Sequence, residues 1–211
     1  MRFLLDYISP YAYIAWTQVH ALAERHSRTV EPVPVLFAAM LNANDTRGPA
    51  EIPAKRLYTF KDVLRTAAHL DLPLTPPAAH PFNPLLALRV TALPMPEPTR
   101  KALIDRLFKA TWGGGSGVTD RDVVDRIAAE VGVSDAAERA SSPSIKQQIR
   151  DNTSRAIAEG VFGVPTVQVD GELFWGYDSF CNIDRFLSGA THIDPDVVSR
   201  WIDLPAAARR R

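Results

Sequence analysis

The chain has a single cysteine, Cys181, among 211 residues. That excludes an internal disulfide, a CxxC redox pair and a thiolate-rich zinc site. Surplus charge is also missing, because 24 basic side chains face 24 acidic ones. A nucleic-acid-binding surface would carry a basic excess, so no nucleic acid is expected as a partner. The only basic run, Arg209-Arg210-Arg211, reads as a frayed tail. No stretch approaches the ~18 uninterrupted apolar residues of a membrane span, and none is expected. The apolar opening MRFLLDYISPYAYIAW is broken by Asp6 and Pro10 and has only Arg2 as an early charge, unlike a signal peptide. A soluble cytoplasmic protein is the resulting expectation. The five histidines show no i,i+4 pair and no matching carboxylates, so they read as surface or helix-packing residues and no metal is expected.

What is present is an ordinary globular composition, 46% hydrophobic and 23% charged, long enough for one domain or one domain with an insertion. The 17 prolines are in excess of the usual ~5%, and several mark element boundaries. Arg2 to Ile8 reads as a short buried strand. Ser9-Pro10 then supplies an N-cap and a first-turn proline for a helix to about His26, whose inner face carries Ala12, Ile14, Ala15, Val19, Leu22 and Ala23. Val30 to Phe37 is a second strand. Strand, helix, strand in this compass is a βαβ unit with parallel strands. The next ~120 residues carry helical patterns only: Lys55–Leu70, Asn83–Leu93, Thr99–Trp112, a helix capped by Thr119 and stopped by Gly132, and Ser144–Glu159. Strand character returns at Val164–Val169 and Leu173–Trp175, joined by the hairpin signal Asp170-Gly171. Asp178 reads as the cap of a helix to about Leu187, and Asp194-Pro195 opens a last one.

The order βαβ, helical block, ββα is that of a thioredoxin-type fold. Its domains would be 1–38 with 159–211, interrupted by an all-helical insertion at 39–158. In that fold the second half begins with a proline after a cis bond, and Gly163-Val164-Pro165-Thr166 stands at that place. The alternative is an ordinary trans proline at a strand start. In redox members the first helix begins with CxxC, its thiolate lying on the helix N-terminus. Here Ser9-Pro10-Tyr11-Ala12 occupies that turn. The free N–H groups and partial positive charge remain, and the chain supplies no sulfur, so the thiol must arrive on a ligand. Read alone, Ser9 is equally a plain N-cap.

The opening Asp6-Tyr7-Ile8-Ser9-Pro10-Tyr11-Ala12-Tyr13, the stretch Pro53-Ala54-Lys55-Arg56-Leu57-Tyr58, the block Gly160–Thr166 and the run Gly171–Asp178 occur in the order of one family. The chain resembles the 2-hydroxychromene-2-carboxylate isomerases, the bacterial branch of the kappa-class glutathione transferases in the DsbA-like group. The resemblance implies glutathione as cosubstrate, Ser9 as the residue that activates its sulfur, and Val164-Pro165 as the backbone that pairs with it. It also implies Asp178, with Ser179 beside it, at the γ-glutamyl end, and Lys55 near the glycyl end or a substrate carboxylate. Family members often have Asp-Arg where this chain has Asp178-Ser179, and Trp112–Gly117 is unusually glycine-rich. The implied activity is isomerisation of a small aromatic substrate by thiolate addition, bond rotation and elimination. A kappa-like transferase and a binding module without catalysis are the alternatives, and a homodimer is implied. Tyr11, Phe37, Trp112 and Trp175 are candidates for an aromatic pocket, with core packing the competing reading for both tryptophans. Cys181 reads as a buried, inert thiol.

Overall fold

In the computed structural model, β1 (Arg2–Leu5) pairs in parallel with β2 (Glu31–Pro34), with Arg2 opposite Glu31 and Leu5 opposite Pro34. The description covers residues 1–205, and the Arg209-Arg210-Arg211 run lies outside it. β2 is shorter than the Val30–Phe37 expectation. Its Pro32 and Pro34 have no N–H to give, so it suits the edge of the sheet, which is where it lies. The connection is α1 (Pro10–Arg25), completing the βαβ unit. β3 (Thr166–Val169) runs antiparallel to β1, and β4 (Glu172–Trp175) antiparallel to β3, giving the order β2-β1-β3-β4. Asp170 and Gly171 both have positive φ, the geometry of a type I′ turn.

Between β2 and β3 lie seven α-helices: α2 (Phe37–Ala43), α3 (Pro53–His69), α4 (Leu85–Thr91), α5 (Glu97–Trp112), α6 (Arg121–Ala129), α7 (Ala136–Arg139) and α8 (Pro143–Ala158). The block has no strand ladder among the described residues, only one isolated bridge between Thr75 and Gly113. Three details differ from the sequence reading. α2 and α7 are too short for periodicity to declare them, and α4 is barely two turns. α6 is capped by Asp120, not Thr119, because the Asp120 carboxylate accepts from the N–H groups of Asp122 and Val123. After β4, a 3-10 turn (Tyr177–Ser179) precedes α9 (Phe180–Leu187), and α10 (Pro195–Ile202) follows, capped by Asp194 as expected.

The sheet is buried on both faces. Phe3 and Leu5 point into a large cluster with Trp16, Leu103, Phe108 and Val167, which joins the sheet to the helical block. Leu4 points the other way, towards Val33, Val35, Met40, Ala156 and Val164. This is the near-continuous apolar run of a strand covered on both sides. Among the described residues no helix is long and apolar enough to cross a membrane.

Candidate active site at the first helix N-terminus

The turn from β1 into α1 is held from below. Asp6, wholly buried, accepts from Ile8 N–H at 3.1 Å through Oδ1 and from Phe37 N–H at 2.9 Å through Oδ2. One carboxylate thus ties the turn before Ser9 to the first residue of α2, a helix that has no side-chain cap of its own. Burial pushes the Asp6 pKa up to about 7 against the pull of those two N–H groups. His80 contacts the same turn, its Nε2 lying 2.9 Å from the Ile8 carbonyl oxygen among Phe60, Phe82 and Trp112. Burial lowers its pKa, so it is a neutral ring with Nε2–H donating to Ile8. In the sequence Asp6 reads only as a break in the apolar opening and a member of the family motif, and His80 only as one of five surface or packing histidines. A charge inside the apolar run Leu4-Leu5-Asp6-Tyr7-Ile8 was the available signal for Asp6, and His80 had none.

Ser9 lies on that floor, 8% exposed. Its hydroxyl does two things. It accepts from Ala12 N–H at 3.2 Å, which is the N-cap, and it donates to the Val164 carbonyl at 3.3 Å. The two halves of the chain therefore meet here, 155 residues apart in sequence. The Val164-Pro165 bond is cis. Val164 N–H has no hydrogen-bond acceptor among the described residues, which leaves a backbone donor beside the serine. The donated bond from Ser9 is long for an O–H···O contact, so exchanging Val164 for another acceptor costs little.

Around this pair the structure gathers several of the candidate residues. Tyr11, half-buried, donates to Asp62 Oδ2 at 2.6 Å, joining α1 to α3. Burial and the adjacent carboxylates of Asp62 and Asp178 push its pKa well above the ordinary phenol value, so it stays protonated. The turn that carries Asp178 packs against α1. Tyr13 turns to the Pro73 carbonyl instead, at 3.0 Å. Asp178 is exposed, and a Cβ on Gly176 would come within 2.2 Å of its Oδ1. Its side chain lies back over that glycine and caps no helix, which corrects the expectation of an Asp178 cap. Ser179 hydroxyl is occupied, donating to the Gly176 carbonyl at 2.7 Å. Trp175 is 54% exposed and lies against Gly163, where a Cβ would meet its Nε1 at 2.6 Å, and against Phe162. It therefore borders the cis-proline turn. Phe37 is partly buried at the start of α2.

Two expectations are corrected. Trp112 is 1% exposed, and its Nε1 donates to the Tyr7 carbonyl at 2.8 Å. It is a core residue, so it offers no wall to a substrate pocket. Cys181 is exposed on α9, not buried. The glycines at 113 and 115 serve close packing: a Cβ there would meet the α5 backbone at 2.9 and 2.6 Å. Lys55, exposed, makes no hydrogen bond or ion pair among the described residues. By helical spacing it shares a face with Tyr58 and the Tyr11 partner Asp62.

A helix N-terminus facing a cis-proline turn, with a hydroxyl where a sulfur would stand, defines a thioredoxin-type site without its thiol. The DSBA-like thioredoxin domain model matches residues 2–188, and the chain belongs to that family. It is 28% identical over 189 residues to a 2-hydroxychromene-2-carboxylate isomerase of Sphingobium xenophagum, covering 88% of this chain and 96% of that one. It is 26% identical over 216 residues to the Glutathione S-transferase kappa 1 of Caenorhabditis elegans, covering 96% and 92%. Its fold matches a solved 2-hydroxychromene-2-carboxylate isomerase with a TM-score of 0.82 at 22% identity, over 97% of this chain and 98% of that one.

Proposed function

We propose that the protein is a glutathione-dependent isomerase of a small aromatic substrate, of the 2-hydroxychromene-2-carboxylate class. The observation that carries this reading is the contact between Ser9 Oγ and the Val164 carbonyl beside a free Val164 N–H. These groups fit a cysteinyl unit: the backbone N–H takes its carbonyl, and the serine hydroxyl turns from Val164 to its sulfur. The α1 N-terminus adds partial positive charge at the same place. The hydroxyl and the helix together favour a thiolate by about 1–3 kcal/mol, lowering a thiol pKa by about one to two. Asp178, exposed next to Tyr11, suits the γ-glutamyl ammonium, with Ser179 behind it holding the Gly176 turn. Lys55 has its charge free for a carboxylate of glutathione or of the substrate. Phe37 and Trp175 flank the turn as aromatic walls, and Tyr11 stays protonated as a hydrogen-bonding group.

Glutathione, when bound, supplies a nucleophilic sulfur that adds to a conjugated double bond and departs after rotation about the resulting single bond. The same residues would serve a kappa-like transferase that releases the adduct, a reading favoured by the similarity to the nematode enzyme. Incubation with glutathione and ring-opened chromene or aromatic enone substrates separates the possibilities. An isomerase converts substrate at constant free glutathione. Stoichiometric loss of glutathione with a stable adduct identifies a transferase. Binding of glutathione with neither product leaves a carrier module and ends the isomerase reading. A homodimer belongs to the same proposal, as does the division into a thioredoxin-like unit and a helical insertion at 39–158. A cytoplasmic location follows from the same reading.

A further inference from the structure

A hollow of about 320 Å³ opens where α2, α4 and α8 meet. Leu36, Ala39, Leu85 and Ile149 give it an apolar lining, with the hydroxyls of Thr153 and Ser154 beside them. Three cations, Arg89, Lys146 and Arg150, also line it, and no acidic side chain does among the described residues. Arg89 and Lys146 form no ion pair among the described residues. Arg150 reaches only a neutral oxygen, Gln147 Oε1, with Nε at 3.1 Å and Nη2 at 2.6 Å. The nearby Asp151 is engaged with the Gln147 amide at 2.7 Å. The Arg89 Nε is buried without a protein hydrogen-bond partner among the described residues. A buried donor without an acceptor is uncommon in folded proteins, and at a hollow it points to a group that fills the hollow. Three like charges around one cavity also repel one another until a counter-charge enters.

The structure assigns this hollow as a binding site for a small amphiphilic organic anion, an apolar body carrying one carboxylate or sulfonate. The apolar lining takes the body. The anionic oxygens meet the Arg89 guanidinium, the side chain whose donor is unsatisfied, with Lys146 and Arg150 closing over them. The volume is at the small end of ligand pockets, which suits a two-ring acid and excludes a nucleotide. None of the residues assigned to the Ser9 site lines this hollow, although Leu36 in its wall precedes Phe37. The site therefore stands whether or not glutathione is the cosubstrate.

Isothermal titration with 1-naphthoate tests it, with 1-naphthylmethanol as the uncharged counterpart. One molecule of the acid per chain is expected at this hollow, counted as the binding lost in the rim variant below and separate from any at the Ser9 site, with the alcohol binding there at least tenfold more weakly and added salt weakening the acid. Charge reversal at the rim, Lys146→Glu with Arg150→Glu, changes side chains on the exposed side of α8 and leaves the core intact. It should weaken the acid at least tenfold without lowering the melting temperature, and Arg89→Gln should do the same to affinity. Saturating glutathione should leave naphthoate binding unchanged. Equal affinity for acid and alcohol, an unchanged affinity in the reversed variant, or displacement of naphthoate by glutathione would each overturn the assignment.

Discussion

Ser9 combines two duties that a substitution can separate. As the N-cap it satisfies Ala12 N–H, and as a donor it holds the Val164 carbonyl. Ser9→Ala should cost the fold about 1 kcal/mol, the usual worth of a cap. It should also raise the pKa of bound glutathione by about one and lower turnover near neutral pH roughly tenfold, with little change in glutathione affinity. Thiolate absorbance titrated against pH in both proteins is the measurement, and superimposed curves would reduce Ser9 to a cap. Asp6 makes a different prediction. Its pKa is raised by burial to about 7, so the folded chain keeps this proton after the unfolded chain has lost it. Below about pH 4 both states hold the proton and Asp6 costs nothing. Between about pH 4 and 7 its contribution falls by about 1.4 kcal/mol per pH unit, and above pH 7 the loss is complete. Asp6→Asn cannot ionise, so its stability relative to the natural protein should rise through that window and then level off. Chemical denaturation at a series of pH values reads this directly, and a pH-independent difference would show that Asp6 is not titrating there. Trp112→Phe should lose stability by about 1–3 kcal/mol, through the orphaned Tyr7 carbonyl and a small cavity, without altering substrate preference.

At the level of elements, the approach of Asp178 to Gly176 is a sharper test of the site than the aspartate alone. Gly176 has φ of 86° and ψ of 158°, a conformation essentially confined to glycine. Gly176→Ala should cost about 1–3 kcal/mol and push the Asp178 carboxylate aside, raising KM for glutathione more than it lowers kcat. A change in kcat alone would place Asp178 outside the glutathione site. The elements themselves were largely readable, because prolines and capping residues punctuate them. Ser9-Pro10 and Asp194-Pro195 each stand at a helix start, whereas α8 opens on Ser142-Pro143, just before the Ser144 start read from its periodicity. What escaped has a physical reason. α2 takes its cap from Asp6, thirty-one residues earlier, which no local pattern reveals. Asp120 displaced Thr119 because its carboxylate reaches two N–H groups at once. Phe37 and Trp175 were legible as aromatics near the turn, whereas whether Trp112 faced pocket or core depended on the path of α5. The Arg89 hollow was not legible at all, since its cations come from α4 and α8, brought together only by packing.

Over the whole molecule, α10 is the element least explained by a single chain. No residue of it is buried. Val197, Val198, Trp201 and Ile202 form one stripe at helical spacing, with Trp201 72% and Ile202 74% exposed. Such a stripe on a monomer is unusual, and the proposed homodimer would give it a partner. Sedimentation equilibrium should show a dimer at micromolar concentration. Trp201→Glu should shift it towards monomer while leaving the melting temperature of the protein nearly unchanged. A natural protein that sediments as a monomer removes the homodimer from the proposed function.

Because the one sulfhydryl, Cys181, is solvent-facing on α9 and begins three residues after Asp178, the molecule comes with a ready attachment point for a reporter. A maleimide fluorophore or spin label would couple there alone, with no mutagenesis and no competing position. Its mobility would register the arrival of a peptide at the neighbouring carboxylate, giving a direct optical or magnetic readout of occupancy that the proposed isomerisation, with free glutathione constant, would not otherwise offer.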